Sequence, residues 1–66
     1  MRKVILYPGE NDYIVAECPS LPGCISQGKT RTDAIENIQK AISLYIKTLL
    51  EDGERVPEER VELVEV

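Results

Sequence analysis

The chain has 66 residues and a net charge of −4, enough for one small domain that buries only about 60% of its unfolded surface. It holds no Phe, Trp or His, so the core must come from aliphatic side chains and three tyrosines. Imidazole-based catalysis and a Cys/His zinc site within one chain are excluded. Charge is unevenly spread, +1 over residues 1–31 and −5 over residues 32–66. That balance argues against direct nucleic-acid binding, which needs a basic footprint, and suits a basic protein partner or a solvated acidic tail.

Residues 2–7 (RKVILY) are β-branched and apolar and predict a first strand. Pro8-Gly9 predicts a turn in which glycine takes the positive φ. Residues 12–17 (DYIVAE) predict a second strand, antiparallel to the first. The Pro19-Ser20-Leu21-Pro22-Gly23 break places Pro22-Gly23 at the centre of a type II turn. Residues 24–27 predict a short third strand that ends at Gly28. Cys18 and Cys24 lack the CxxC redox spacing and predict half-buried thiols in a reducing cytoplasm.

Thr30 is a good N-cap, with Asp33 placed to complete a short capping box. Ala34, Ile35, Ile38, Ala41, Ile42, Tyr45, Ile46 and Leu49 then recur at helical spacing, a stripe broad enough to cover a sheet. Gly53 and Pro57 end the helix, which runs about 33 Å at 1.5 Å per residue. Residues 61–66 (VELVEV) have strand composition. The predicted fold is α+β, in the order β-β-β-α-β: a three-strand antiparallel meander, one long helix, and a fourth strand parallel to the first (sheet order 3-2-1-4).

One helix covers one face of a sheet. The first two strands are nonetheless apolar on both faces, and the helix outruns a six-residue strand of about 20 Å. Leu44 falls off the main stripe and Leu50 sits at its margin. Ile5, Tyr7, Leu44 and Leu50 are therefore the predicted interface of a homo-oligomer, taken to be a dimer.

No nucleophile–base pair and no glycine-rich phosphate loop is present. A sheet of the predicted order is also the core of ribonuclease H-like nucleases, which hold two metal ions on carboxylates. The first strand carries no acid, however, and Asp12, Glu17 and Asp33 are scattered. The expectation is a non-enzyme with no metal or cofactor. No apolar run reaches signal-peptide or membrane-spanning length, so a cytoplasmic, membrane-free protein is expected.

Leu21-Pro22-Gly23-Cys24 with Ser26, Gly28 and Thr30, then Ala34, Asn37, Ala41 and Ile42, and finally Gly53 with Val56-Pro57, resembles the HicB family over residues 4–57. These are the antitoxins of HicA–HicB toxin–antitoxin pairs and their solitary relatives. The resemblance implies a partial ribonuclease H-like fold without catalytic carboxylates, and a partner in the form of a small basic HicA-type RNA-cleaving toxin. Pro22, Gly23, Cys24, Ser26, Gly28, Thr30, Asn37, Gly53 and Pro57 are expected to be structural. Glu51, Asp52, Glu54, Glu58 and Glu59 are the expected partner contacts. Asp33 stands where the family more often has Glu. Many members continue into a DNA-binding segment, and this sequence ends at Val66, so operator binding by this chain alone is not expected. The alternative is an orphan homo-oligomeric regulatory or scaffold domain with no toxin.

Overall fold

A computed structural model describes all residues, 1–66. Strands β1 (Ile5–Pro8), β2 (Ile14–Glu17) and β3 (Ile25–Gly28) form an antiparallel sheet in the order β1-β2-β3, and helix α1 (Arg31–Glu51) packs on one face. The meander and the long helix match the sequence expectation. The fourth strand does not: residues 61–66 form no strand, and the sheet order ends at β1. Strand composition supplies propensity, but a strand also needs a ladder partner, and this segment makes no backbone pairing with β1, Val61 being held by the Lys3 side chain.

Alternation along the strands sorts the side chains. Leu6, Ile14 and Ala16 face the helix, where Ala16 joins Cys18, Leu21, Cys24, Ala34 and Ile38 in a fully buried core. Every residue of the predicted helical stripe is buried or half-buried, but only Ala34 and Ile38 are closed off from solvent. The second half of the helix overhangs the sheet, and Ile42, Tyr45, Ile46 and Leu49 remain half-buried there. Ser26, opposite Ala16 in the register, and Gly28 keep the β3 surface low. A Cβ on Gly28 would lie 2.4 Å from the Ala34 amide nitrogen and 2.7 Å from the Asp33 carbonyl carbon. Gly28 is thus required by close approach of strand to helix rather than by its dihedral angles.

Thr30 caps the helix and Gly53 ends it as expected, but no Asp33 side-chain bond back to the Thr30 N–H completes the capping box. Thr30 Oγ1 accepts the Asp33 amide at 3.1 Å, a cap of the kind that contributes about 1 kcal/mol. At the far end Glu54 N–H donates to Leu49 and Gly53 N–H to Leu50, with Gly53 at φ 72°. This paired arrangement is the Schellman motif.

The two interstrand turns differ in how they met expectation. Cys24 N–H donates to the Leu21 carbonyl across Pro22-Gly23, with Gly23 at φ 80°, as a type II turn requires. Between β1 and β2, Gly9 keeps an ordinary φ of −108°, and the left-handed residues are Asn11 (φ 55°) and Asp12 (φ 62°). The turn therefore lies three residues later than Pro8-Gly9 suggested. Its type I′ pattern suits Asn and Asp, and its twist matches that of the flanking strands. Gly9 instead gives room, because a Cβ there would meet Val15 Cγ2 at 2.7 Å.

Candidate functional site

The Pro-rich loop between β2 and β3 is held from both sides. Cys18 N–H donates to the Cys24 carbonyl at 3.0 Å, and Leu21 N–H to the Cys18 carbonyl at 3.1 Å. Leu21 is driven inward to full burial, and Tyr45 OH reaches from the helix to the Pro22 carbonyl at 2.7 Å. Both cysteines are free and fully buried rather than half-buried. Burial pushes the Cys24 thiol up, as does its neighbour Cys18, so neither burial nor protonation favours a nucleophilic role. Asn37 donates from the helix to the Gln27 carbonyl at 2.8 Å, satisfying one acceptor on the outer edge of β3.

The residues expected to meet partners fall in three places. Ile5 (39% exposed) and Tyr7 (40%) lie on the sheet face opposite the helix, with Ile25 (53%) on the same face across Glu17 from Ile5. No element covers that face. Tyr7 donates to Glu17 Oε1 at 3.1 Å, and its phenol is pushed up by lost hydration and then by that carboxylate. Leu44 and Leu50, each more than 60% exposed, are on separate flanks of the helix. Leu44 borders a groove beside β3, while Leu50 borders a depression with Ile42 and Ile46. The four apolar candidates therefore do not form one patch.

Among the acids, Glu51, Asp52 and Glu54 are exposed at the helix C-terminus, with no basic residue in the last turn. They face the negative pole of the helix dipole, where acids cost a few tenths of a kcal/mol up to about 1. Glu58 is paired with Arg60 at 2.7 Å. Glu59 turns inward: it accepts the Lys3 amide at 2.8 Å and lies 4.0 Å from the Arg2 guanidinium. Ser20, the Lys3 amide and the Arg2 and Lys3 charges hold its carboxyl below the usual range. Lys3 Nζ also donates to the Val61 carbonyl at 2.9 Å, so residues 59–61 are tied to the start of β1. Sequence reasoning grouped Glu59 with the free acids because nothing local distinguishes it from Glu58.

Glu59→Ala is expected to release residues 58–66 while leaving the domain folded, read as loss of amide-exchange protection around Val61. Because the folded-state carboxyl titrates low, its stabilising contribution is present above the ordinary carboxylate range. It is lost as pH falls through the depressed value. A tail equally protected in both proteins would remove Glu59 as the anchor.

Asp12, Glu17 and Asp33 are not brought together, and no three Cys, Asp or Glu side chains gather as a metal cage would need. No helix is long and apolar enough to cross a membrane. The features on offer are thus surfaces on a two-layer α+β domain: a bare sheet face, an acidic helix end and an apolar groove.

Comparison with known proteins places the domain. The family described as "HicB_like antitoxin of bacterial toxin-antitoxin system" matches residues 3–65. The chain belongs to this HicB-like antitoxin family. A UPF0150 protein of Thermoplasma acidophilum is 41% identical over 63 residues, covering 96% of this chain and 91% of the relative. A UPF0150 protein of Archaeoglobus fulgidus is 38% identical over 65 residues, covering 96% and 90%. The crystal structure of the N-terminal domain of Burkholderia pseudomallei antitoxin HicB superposes with a TM-score of 0.72 at 31% identity. That match covers 92% of this chain and 66% of the solved one, so this chain spans slightly less than two thirds of its length.

Proposed function

We propose that this domain is the antitoxin of a toxin–antitoxin pair, acting in the cytoplasm by binding and masking a small basic HicA-type RNA-cleaving toxin. The observation that carries the reading is the uncompensated acidic end of the helix. Glu51, Asp52 and Glu54 are exposed, form no ion pair, and sit where the helix dipole disfavours them. A basic partner would relieve that local cost and gain a steered encounter. Glu58 can join them by exchanging Arg60 for the partner, whereas Glu59 would first have to leave its anchor. Masking needs no catalytic group, in keeping with the scattered carboxylates.

The test is association with a basic HicA-type toxin at graded salt. Glu51→Lys combined with Asp52→Lys is expected to slow association at least tenfold at low salt and to flatten its salt dependence. Unchanged kinetics would sink the electrostatic reading, and no binding by the unaltered protein would sink the antitoxin reading for this chain.

The bare sheet face favours a second component of the reading, a homo-oligomer, most simply a dimer. Ile5, Tyr7 and Ile25 on the sheet and Leu44 and Leu50 on the helix remain exposed in one chain. Without a toxin, the same surfaces would make the domain an orphan scaffold or regulator.

A further inference from the structure

The β3 edge and the tail of the chain are complementary. In the β2–β3 pair the hydrogen-bonded positions are the even-numbered ones, since Cys18 N–H donates to Cys24 in register with Ala16 opposite Ser26. The backbone groups of Ile25 and Gln27 therefore point away from the sheet. Asn37 satisfies only the Gln27 carbonyl, which leaves the Gln27 N–H and both groups of Ile25 open. Beside this edge runs an apolar groove of about 370 Å³, bordered by Ile25, Ala41, Leu44 and Leu49. Leu44 also borders a shallow depression lined by Lys40 and Lys47. Neither lysine has a carboxylate within 4.0 Å, although Glu36 and Glu51 lie one turn away.

The segment that fits this edge is residues 61–66. Leu63 (75% exposed), Val64 (64%) and Val66 (122%) have no partner in the chain, and Glu62 and Glu65 are exposed beside them. In extended form one face would carry Val61, Leu63 and Glu65, and the other Glu62, Val64 and Val66. Each face is apolar with one acid. A strand added to β3 needs apolar groups on both sides, against Leu44 on the helix side and against Ile25 on the open sheet face. The glutamate on the helix side would meet the unpaired Lys40 and Lys47. Lys3 ties Val61 to the β1 side of its own chain, whereas the groove flanks β3 at the opposite edge.

We propose that the groove beside β3 receives residues 61–66 of a second copy of this chain as an added strand, reciprocally, giving a two-fold dimer. The proposal rests on the second-copy reading and is independent of the toxin reading. Its test uses full-length protein with no toxin present. Leu44→Glu breaks the groove and Leu63→Glu breaks the tail, and both positions are exposed, so each variant keeps the thermal melt of the unaltered monomer fold. Sedimentation is expected to show a dimer for the unaltered chain and at least a tenfold weaker dimer for each variant. Mixing the two variants is expected to restore heterodimer, because one intact tail then meets one intact groove, with native mass spectrometry reading the mixed species. A monomeric unaltered chain overturns the proposal. So does a dimer insensitive to either substitution, or a mixture that fails to recover.

Discussion

Gly28→Ala is expected to cost about 3 kcal/mol, at the upper end of what overpacking exacts, because the added methyl meets backbone rather than a side chain that can rotate away. Its nearest neighbours are the Ala34 amide nitrogen and the Asp33 carbonyl carbon, both in the first turn of α1. To make room, the helix N-terminus must lift off β3 and loosen the packing of Ala34 in the core. A domain of 66 residues holds only roughly 3–10 kcal/mol in total. The melting temperature should therefore fall by about 12 °C or more. Gly23→Ala is the control. Gly23 has φ 80° with open space around its missing Cβ, so the penalty there is conformational alone, about 1 kcal/mol. If the two variants melt alike, close packing is not what Gly28 provides.

Leu21→Ala is expected to be of similar size, about 3 kcal/mol within the range of 2–5 for buried leucines. Leu21 is fully buried and is the part of the Pro-rich loop that enters the core. Its removal leaves a cavity that two turns, each built around a proline, are too stiff to collapse into. The loop's other attachment, Tyr45 to the Pro22 carbonyl, is half-exposed, and Tyr45→Phe should cost only about 1 kcal/mol. Urea unfolding followed by circular dichroism separates the two. A Leu21→Ala loss no larger than that of Tyr45→Phe would mean that the loop is held by its hydrogen bonds and not by its plug.

The contrast between these positions explains what could be read from the amino-acid sequence. Helix α1 was legible because its stripe, its Thr30 cap and its Gly53 stop are local signals that agree with one another. Pro22-Gly23 was legible for the same reason, since both residues are pre-set for the turn they make. The β1–β2 turn was misplaced because Pro8-Gly9 competes with Asn11-Asp12, and only the register decides between them. Gly28 read as a strand end, although its real constraint is the first turn of the helix, Asp33 and Ala34, whose closeness to the strand shows only in space. The fourth strand failed because a strand is a relationship between two segments. Of the candidate site, the acids at the helix end were legible as exposed charge. The inward turn of Glu59 was not, because its partners Arg2, Lys3 and Ser20 lie far back in the chain.

Pro8 closes β1, and its place in the register matters beyond the fold. The hydrogen-bonded positions between β1 and β2 are odd-numbered, as Gly9 N–H donating to Tyr13 indicates, so Pro8 belongs to the outward-facing set. That edge therefore lacks a donor where a neighbouring strand would need one, while the Glu59 anchor occupies the approach to its other end. Lateral growth is possible at one side of the sheet only. Further strands can therefore join only beside β3, and the β1 side is a closed end of the sheet.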